Sequence, residues 1–447
     1  LETLERSGRD VLHSMMMLVP EAWQKLEGLG RYTNNSPQNV KVAVIDTGVD
    51  KTHPDLQANL VPESEWIDFT FRADNPQNLN KDEDGHGTHV AGIIGAMVND
   101  TEINGVAYRS QILPIKVFRK NSKDSNTCNQ LIPAEGGAVE AGIVYATRKG
   151  ADVINLSLLW RDGETKLLKK AVDYSVKKKA VIIAAAGNDN RDAANYFPAS
   201  LPNVISVGAT KRKLNQDGSV QMNPDGTVAE ERPNENHWGI NECNRVRQGS
   251  NYSKDDDISV LSVVAPGDRI YSTMPSNNYD YKQGTSMAAP FVSGLAALLK
   301  HIKSDLSSTQ IDNILRSTAD KIEVNYPNDP DPHVWKRINV KRAVESVLNN
   351  DTAPPTTPTI LSAIPISSSQ ISISWTASSD NVGVVGYKIY RDGIPIADPA
   401  MTSYGSIGLS PSTHYCYNLS AFDTAGNESA QSTLACATTL AVLDTIP

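Results

Sequence analysis

The sequence lacks the features that mark several classes of protein. None of its apolar runs reaches the roughly 18 residues that a helix needs to cross a bilayer, so we predict no membrane span. Its four cysteines form no Cys-x-x-Cys pair, which argues against a zinc ribbon. Positive charge is not in excess either, because the net charge is −9 at pH 7. Nucleic acid is therefore not expected as the main partner.

The N-terminal segment also lacks a signal-peptide core. The apolar run Ser14–Val19 is too short for one, and no small-residue cleavage site accompanies it. We therefore expect a mature or trimmed chain, in which residues 1–20 are either a remnant of a pro-segment or an N-terminal extension.

The chain of 447 residues is too long for one ordinary core, so two domains are expected. Hydrophobic residues make up 39% and charged residues 21%, as in soluble globular proteins. Up to residue 348, short β-rich apolar runs alternate with longer helical segments. The predicted strands are Lys41–Asp46, Ile112–Phe118, Asp152–Leu158, Ala180–Ala186, Val204–Thr210 and Leu261–Ala265. The predicted helices are His86–Met97, Glu135–Lys149, Glu164–Lys179, Ser286–Lys300, one that Ser307 and Gln310 begin with a capping box, and Asn339–Leu348.

The predicted strands of this first part are apolar throughout rather than alternating between apolar and polar residues. Such strands are typical of a parallel sheet covered on both faces. Together with the alternation of strands and helices, they predict an α/β fold with a doubly wound, mostly parallel sheet over residues 1–348. The polar segment 211–254 interrupts this domain and is predicted to be an inserted surface loop.

The composition changes after residue 348. Residues 349–358 (NNDTAPPTTP) are predicted to be a linker. Residues 359–440 contain short alternating runs such as Gln370–Trp375, separated by turn signals, which predicts an all-β immunoglobulin-like sandwich. The final Asp-Thr-Ile-Pro echoes the Asp-Thr-Ala-Pro at 351–354, so we interpret residues 441–447 as the start of a further repeat.

The four cysteines allow three pairings, and sequence alone does not choose among them. Cys128 and Cys243 lie in polar stretches of the first domain, whereas Cys416 and Cys436 both lie in the predicted sandwich. These locations favour the pairs Cys128–Cys243 and Cys416–Cys436.

The stretch QGTSMAAPFVSG, residues 283–294, has two interpretations. In the first, Thr285 or Ser286 caps a helix, and Pro290 falls in the first helical turn, where a missing N–H costs little. In the second, Ser286 is a nucleophile. A serine at a tight turn before a helix exposes its Oγ, and its own N–H and the helix dipole favour an oxyanion. This stretch alone does not decide between them.

Three further segments bear on the choice. Asp46 in VIDTGVD ends a predicted strand, where ligands of open α/β sheets bind, although a lone Asp there also serves as a turn cap. His86 in DGHGTHVAG begins a helix between two glycines, and Asn188 in AAAGN ends another strand. Together with Ser286, these residues supply a nucleophile, a base, an orienting carboxylate and an oxyanion donor.

These four segments, in this order along the chain, resemble those of subtilisin-like serine proteases, and the likeness covers about Ala22 to Leu348. The resemblance implies that Ser286 is the nucleophile, that His86 is the general base and then acid, that Asp46 orients His86, and that Asn188 donates to the oxyanion. It implies a serine endopeptidase with neither a catalytic metal nor an organic cofactor.

A rival interpretation makes His86 and His89, three residues apart on one helix, ligands of a metal ion. The sequence offers no credible third ligand, and in subtilisin-like enzymes the second histidine of this motif is structural. We therefore favour the protease interpretation.

The resemblance also implies a structural Ca²⁺ site, which many members of the family carry. The oxygen ligands implied for it come from an HPDL motif and from the loop Met97–Gly105. The alternative is an ordinary polar loop. The implied ligands are the side chains of Asp55 and Asn99 and the carbonyl oxygens of Met97, Thr101 and Ile103.

The implied substrate pocket departs from the pattern of many relatives. Leu159 and Trp160 stand where many relatives have two glycines, and Tyr196 stands where the residue is often small. Broad acceptance of large P1 side chains is therefore not expected. The resemblance also places a cis peptide bond between Phe197 and Pro198. The predicted substrate-binding residues are Ser157, Leu158, Leu159, Trp160, Ala185, Gly187 and Tyr196.

The predicted sandwich resembles a fibronectin type III domain, with Trp375 and Tyr387 as core aromatics, and it carries no catalytic motif. The family resemblance as a whole implies a secreted, extracellular protein that is expected to act as a monomer on protein or peptide substrates. The competing hypothesis is an inert member of the fold that works as a binding or adhesion module through its sandwich. The intact set of four site residues argues against it.

Overall fold

The computed structural model describes most of the chain. The described residues are 17–29, 32, 39–70, 81–99, 102–120, 131–133, 137–161, 166–213, 215, 221, 230–231, 250–252, 260–324, 333–349, 351–380, 384–399, 401–423 and 427–442. The chain divides into two compact units. The first comprises Leu1–Lys25 and Tyr32–Val344, and the second comprises Leu26–Arg31 and Glu345–Pro447.

Helices of the described residues follow the predicted helical segments and add two near the N-terminus. They are α1 (Val19–Gly28), α2 (Pro54–Gln57), α3 (His86–Gly95), α4 (Ala138–Arg148), α5 (Lys166–Lys177), α6 (Thr285–Ile302), α7 (Ser308–Thr318) and α8 (Val340–Asn349). Ser307 caps α7 and forms the predicted capping box with Gln310. None of the helices in the described part of the chain has the length and apolar character that a membrane-spanning helix requires.

The strands of the described residues fall into a large sheet in the first unit, two sheets in the second, and several two-stranded ribbons. Those of the first unit are β1 (Lys41–Asp46), β2 (Ile67–Asp68), β3 (Gln111–Lys116), β4 (Phe118–Lys120), β5 (Leu131–Pro133), β6 (Val153–Leu156), β7 (Trp160–Arg161), β8 (Val181–Ala185), β9 (Tyr196–Phe197), β10 (Val204–Arg212), β11 (Glu230–Glu231), β12 (Val263–Pro266), β13 (Ile270–Met274), β14 (Asn278–Lys282), β15 (Asp320–Val324) and β16 (His333–Arg337). Those of the second are β17 (Ile360–Ser367), β18 (Gln370–Trp375), β19 (Val384–Arg391), β20 (Ile394–Ala397), β21 (Ser403–Ile407), β22 (His414–Asp423) and β23 (Ala435–Thr438).

The large sheet has the order β15-β16-β12-β10-β8-β6-β1-β3-β2, and β11 pairs with β10. Every pairing from β2 to β16 is parallel, whereas β15 and β11 are antiparallel to their neighbours. This order confirms the predicted α/β fold with a mostly parallel sheet. Because strand order along the sheet runs outward from β1 in both directions, successive crossovers place helices on both faces.

The two faces of the sheet bury different residues of β1. Ala43 and Ile45 belong to the core that α4 and α5 complete on one face. Side chains alternate along a strand, so Val42, Val44 and Asp46 face the other side. There α6 packs against the central strands, and nearly all of its side chains are buried, as expected for a helix that is apolar on every side. The last residue of this face, Asp46, is polar and lies at the carboxyl end of the strand.

The predicted surface loop 211–254 is described only in part. Its first residues, Lys211 and Arg212, belong to β10 and pair with β11. Near its other end, Ser250 and Asn251 are fully buried. Cys128 and Cys243 lie outside the described residues.

The second unit consists of antiparallel strands, as predicted. One sheet has the order β17-β18-β21 and the other β20-β19-β22-β23. Both contribute to one core, in which the rings of Trp375 and Tyr387 meet edge to face at 5.3 Å. Cys416 and Cys436 lie directly opposite each other on β22 and β23 and form the predicted disulfide bond.

Acidic side chains gather at one place in the second unit. Carboxylate oxygens of Asp351, Asp380 and Asp423 lie within 4.8 Å of one another. Nδ2 of Asn427 donates both to Oδ2 of Asp423, at 2.8 Å, and to the carbonyl oxygen of Asp351, at 3.0 Å. This amide ties the segment before β17 to the turn that follows β22.

Candidate active site

Asp46 and His86 are brought together by the end of β1 and the start of α3. Oδ1 of Asp46 lies 2.8 Å from Nδ1 of His86 and also accepts the N–H of Thr47 at 2.7 Å. Because a carboxylate only accepts hydrogen bonds, Nδ1 of His86 carries a proton. Nε2 of the neutral imidazole is therefore the acceptor, which is the state that a general base requires.

Asp82, which the sequence analysis did not single out, holds the start of α3 in place. Its buried carboxylate accepts the N–H groups of Gly85 and Thr88, both at 2.8 Å. It also accepts the hydroxyl of Thr47, at 2.8 Å, from the residue that follows Asp46. One carboxylate thus fixes the helix that carries His86 against the strand that carries Asp46. An acidic residue shortly before a predicted helix was the available signal.

Gly87 is required because the backbone of the loop after β1 comes very close to it. A Cβ atom at this position would lie 2.1 Å from the carbonyl oxygen of Gly48. The first turn of α3 therefore approaches the loop after β1 more closely than any side chain would allow.

Ser286 lies at the second position of α6, next to the end of β6. Its Oγ donates to the carbonyl oxygen of Ser157 at 3.2 Å. In return, Oγ of Ser157 donates to the carbonyl oxygen of Ser286 at 2.8 Å. Among the described residues, Ser286 Oγ makes no hydrogen bond to His86, so its proton is directed at the carbonyl oxygen of Ser157 in this arrangement.

Pro290 lies inside α6 rather than in its first turn, which corrects the prediction. A proline has no N–H, so the carbonyl group four residues earlier loses its helical partner. That carbonyl group belongs to Ser286, and the hydroxyl of Ser157 supplies the missing donor. The proline is thus accommodated by a side chain that follows β6, not by its position in the helix.

A chain of buried polar side chains joins α6 to β6 behind Ser286. Oγ of Ser293 donates to Oδ1 of Asn155 at 2.8 Å, and Nδ2 of Asn155 donates to Oγ of Ser157 at 3.0 Å. Ser293 and Asn155 are fully buried. A buried polar network with matched partners rigidifies its surroundings, so it fixes the position of Ser286 relative to the sheet.

Asn188, just after β8, is oriented by Thr285. Oδ1 of Asn188 accepts both the N–H of Thr285, at 2.9 Å, and its hydroxyl, at 3.0 Å. Because Oδ1 is the acceptor in both bonds, the other amide atom is the donor Nδ2. Nδ2 makes no hydrogen bond to any described residue. The N–H of Ser286, near the start of α6, likewise has no carbonyl partner within the helix. Two donors are thus available beside Ser286.

The charge of Asp46 determines the titration of His86. Burial lowers the pKa of His86, but the charge of Asp46 and its hydrogen bond together raise the pKa by more. The charge of Lys282 lowers this pKa slightly, and the charge of Asp84 raises it slightly. The net result is a pKa above the ordinary value of 6.5. Asp46 therefore stabilises the imidazolium form that a general base reaches after taking a proton.

The pKa of His89 is lowered rather than raised, and this residue has a structural role. Burial, and then the charges of Lys282 and His86, lower the pKa of His89 to about 3. Its Nε2 donates to the carbonyl oxygens of Ile270 and Asp280, at 3.0 and 3.2 Å. Since Nε2 carries a proton, it is not a metal ligand. Within the described part of the chain, neither His86 nor His89 belongs to a group of three or more side chains whose ligand atoms lie close enough to hold one metal ion, so the rival metal site on α3 is not supported.

The predicted substrate-binding residues come from three segments, two of which meet in a strand pair. β7 and β9 pair so that Arg161 lies opposite Tyr196 and Trp160 lies opposite Phe197. Leu159 and Trp160 are half-buried. The predicted cis peptide bond between Phe197 and Pro198 is present. The fully or largely buried members of the predicted set are Ser157, Leu158, Ala185, Gly187 and Tyr196.

Tyr196 fills space beside the segment that carries Asn188. Its hydroxyl donates to Oδ2 of Asp189 at 2.8 Å. Its Cδ1 would lie 3.3 Å from a Cβ atom built on Gly187. The hydroxyl end of Tyr196 is therefore held by Asp189, and the edge of its ring packs against the backbone of Gly187.

The predicted Ca²⁺ ligands come together in part. Nδ2 of Asn99 donates to Oδ1 of Asp55 at 3.2 Å, and the hydroxyl of Tyr279 donates to Oδ2 of Asp55 at 2.7 Å. Met97 is joined to the same residue, since its N–H donates to the carbonyl oxygen of Asp55 at 2.8 Å. Ile103 lies on the same loop, and Thr101 lies outside the described residues.

The sequence model of the subtilase family matches residues 37–343. Thermitase from Thermoactinomyces vulgaris is 36% identical over 305 residues, which is 68% of this chain and 86% of thermitase. Thermophilic serine proteinase from Bacillus sp. (strain AK1) is 37% identical, and the match spans 63% of this chain but only 57% of that protein.

A solved structure supports the same assignment. The structure of a protease from Pseudoalteromonas arctica is similar, with a TM-score of 0.53 and 26% sequence identity. The similarity covers 74% of this chain and 94% of that chain. Together with the family match and the geometry above, it shows that the chain belongs to the subtilase family, whose members are serine endopeptidases.

Proposed function

We propose that the protein is a serine endopeptidase that hydrolyses peptide bonds through Asp46, His86 and Ser286. The observation that carries the proposal is the 2.8 Å contact between Nδ1 of His86 and Oδ1 of Asp46. This contact fixes the tautomer in which Nε2 is free to take a proton. A histidine that only stabilised the fold would not need its second nitrogen held as an acceptor at the sheet's carboxyl edge.

Nucleophilic attack requires Ser286 Oγ to leave the carbonyl oxygen of Ser157 and to donate to Nε2 of His86. Hydrogen bonds between a nucleophile and its base are often absent without substrate and form in the complex. His86 then takes the proton, Oγ attacks the carbonyl carbon, and the imidazolium form is stabilised by Asp46. The same proton passes to the leaving amine, which gives an acyl-enzyme on Ser286 that water hydrolyses.

The negative oxygen of the tetrahedral intermediate would be bound by Nδ2 of Asn188 and the N–H of Ser286. Thr285 fixes the first donor through its two bonds to Oδ1 of Asn188. The position at the N-terminus of α6 adds a favourable dipole. Donors that are already oriented need no reorganisation when the charge develops, which is why they lower the barrier.

The P1 pocket is proposed to favour small side chains. Tyr196 is fully buried beside Gly187, and its hydroxyl is tied to Asp189. Leu159 and Trp160 would form the other wall of this pocket. A ring at this position occupies volume that a large P1 side chain would need.

We also propose a structural Ca²⁺ ion at Asp55 and Asn99, since subtilases commonly bind calcium. The carboxylate of Asp55 is fully buried, and a buried carboxylate is stabilised by a cation. Rotating the amide of Asn99 by half a turn would present Oδ1 where Nδ2 now lies, beside a hard oxygen set suited to Ca²⁺. The backbone of Met97, Thr101 and Ile103 would supply the remaining oxygens. The ion would stabilise the fold and take no part in the chemistry.

The other proposals concern the whole protein. Secretion follows from the resemblance to secreted members of the family, and recovery of the chain from culture medium tests it. The second unit is proposed to be a fibronectin type III domain that binds substrate or a surface, or acts as a spacer. The protein is proposed to be monomeric, which sedimentation of the full chain would check.

Labelling with a fluorophosphonate probe, followed by mass spectrometry of the modified peptide, tests the central proposal. Label on Ser286 that disappears in His86→Ala would support an assembled hydrolase. Absence of label on folded protein in Ca²⁺ would overturn the proposal in favour of an inert binding protein. Ser157→Ala is not a suitable control, because it removes the donor that Ser286 needs. Asn59→Ala, which removes a buried amide that bonds to the carbonyl oxygens of Gly95 and Tyr108, is expected to label normally.

A further inference from the structure

One buried residue, Asn251, binds the backbone on both sides of Asn188. Its Nδ2 donates to the carbonyl oxygen of Ala186 at 2.9 Å. Its Oδ1 accepts the N–H groups of Asp189 and Arg191, both at 3.0 Å. Its own N–H donates to the carbonyl oxygen of Gly187 at 2.8 Å. The turn that carries Asn188 thus has these four polar groups satisfied by a single residue.

Asn251 packs tightly against Gly187, the residue before Asn188. Gly187 has φ of +112°, a conformation that side chains disfavour. A Cβ atom there would lie 2.2 Å from Nδ2 of Asn251. Asn251 therefore packs directly on the glycine backbone, and a change in its side chain would alter the direction in which Asn188 leaves the strand.

Asn188 is held from a second direction by Thr285. Thr285 fixes the side-chain amide, and its hydroxyl also accepts the N–H of Gly187 at 3.1 Å. Asn251 fixes the backbone of the same turn from the other side. Because Asn251 is fully buried, it does not touch a substrate and can act on the reaction only through the turn that it holds.

We propose that Asn251 is a positioning residue for oxyanion stabilisation, an inference that rests on the proposed protease function. An oxyanion donor is effective only within about 2.7–3.1 Å of the developing charge. A misplacement of 1 Å caused by a residue remote from the chemistry lowers the rate about 100-fold. Loss of Asn251 would therefore lower kcat and leave KM nearly unchanged, because the oxyanion forms only after the substrate has bound.

The test measures kcat and KM of Asn251→Ala on a peptide anilide, together with the affinity for a peptide boronic acid. We expect kcat and boronate affinity to fall by about 100-fold. Asn59→Ala is the matched control. Asn59 is equally buried, but its Nδ2 donates to the carbonyl oxygens of Gly95 and Tyr108, both at 2.7 Å. It is expected to retain kcat. Equal losses in the two variants would overturn the proposal.

A double-mutant cycle separates positioning from general destabilisation. In an Asn188→Ala background, Asn251→Ala is expected to cause no further loss of kcat, since the group it positions is absent. The same loss in both backgrounds would overturn the proposal.

Asn251→Asp provides a second variant if Asn251→Ala does not fold. It keeps the two accepted bonds from Asp189 and Arg191 but replaces the donated bond to Ala186 with a repulsion between two acceptor oxygens. Its kcat is expected to lie between those of wild type and Asn188→Ala. A wild-type kcat in the folded variant, or an additive loss with Asn188→Ala, would contradict the inference.

Labelling of the wild-type protein distinguishes failure of the proposed protease function from failure of the proposed role of Asn251. An unlabelled Ser286 in the folded wild-type protein would overturn the protease function, and this inference with it. A labelled, active wild type with unchanged kcat in Asn251→Ala and Asn251→Asp would overturn only the role of Asn251.

Discussion

Nδ1 of His86 lies 2.8 Å from Oδ1 of Asp46, and this pair raises the pKa of His86 above its ordinary value of 6.5. The general base must be neutral, so kcat/KM is expected to fall as the pH drops through this raised pKa. Asp46→Asn removes the negative charge of Asp46, the larger of its two raising effects on the pKa of His86, so the midpoint should move to lower pH while kcat falls about 10⁴-fold. Rate profiles of the two proteins check this. A wild-type profile that stays flat down to about pH 4 would exclude His86 as the base.

His89 should make folding stability sensitive to acid. Its pKa is lowered to about 3, whereas the unfolded chain has the ordinary value of 6.5. Between these two pH values, His89 is protonated in the unfolded chain but neutral in the folded protein. The free energy of unfolding is therefore highest above pH 6.5 and falls as the pH drops, by up to about 1.4 kcal/mol per pH unit. Urea unfolding of wild type and His89→Gln at pH 7 and pH 5 measures this. Equal losses of stability in the two proteins would show that other groups cause the acid sensitivity.

Asn188→Ala is expected to lower kcat by about 100- to 1000-fold with little change in KM, because the lost donor acts on the transition state. Thr285→Ser is the matched control, since serine retains both groups that bond to Oδ1 of Asn188. Steady-state kinetics on one peptide substrate would compare them. A rise in KM with unchanged kcat in Asn188→Ala would place this residue in substrate binding instead.

Tyr196→Ala should open the P1 pocket. The ratio of kcat/KM for a peptide with P1 Phe to that with P1 Ala is expected to rise at least about 10-fold. The variant should also lose about 3–5 kcal/mol of stability, because it removes a buried ring. Tyr196→Phe keeps the ring and loses only the bond to Asp189, so its ratio should match wild type. A wild type that already prefers P1 Phe would contradict the small-pocket proposal.

Calcium should raise the melting temperature of the wild-type protein and EDTA should lower it. A free Ca²⁺ concentration of 100 times Kd would add about 2.7 kcal/mol of stability. Asp55→Asn is expected to abolish the difference between the two conditions. Tyr279→Phe removes a hydrogen bond to the same carboxylate but no ligand, so it should keep the difference. Identical melting curves of wild type in Ca²⁺ and EDTA would favour the polar-loop alternative.

The sequence predicted the parallel sheet well because its strands are short, apolar and separated by helical segments. The carboxyl ends of such strands share one edge, so Asp46 and Asn188 were expected there before any geometry was known. The hairpin of β13 and β14 was not predicted. Its exposed, polar strand β14 carries no apolar run that would distinguish it from a loop. The edge pair of β15 and β16 was missed for a similar reason.

The supporting residues of the site were harder to predict than its reactive ones. The segment around Pro290 predicts a place in the first helical turn, because nothing in it shows that Ser157, just after β6, replaces the lost hydrogen bond. Asn251 sits in a polar stretch that resembled a surface loop, yet it is fully buried. Its partners lie some sixty residues earlier in the chain, for example 62 for Asp189. Local patterns do not report contacts at such separations.

Asn188 is held in place by Thr285 and Asn251, so its orientation depends on segments that lie far apart in the chain. Thr285 lies 97 residues beyond Asn188 in the chain, and Asn251 reaches the same turn from between them. These contacts exist only when the segments around residues 188, 251 and 285 have all come together in the fold. A partly folded chain would therefore lack an oriented oxyanion donor. The protein would gain the ability to cut peptide bonds only once its own backbone is already protected by the fold.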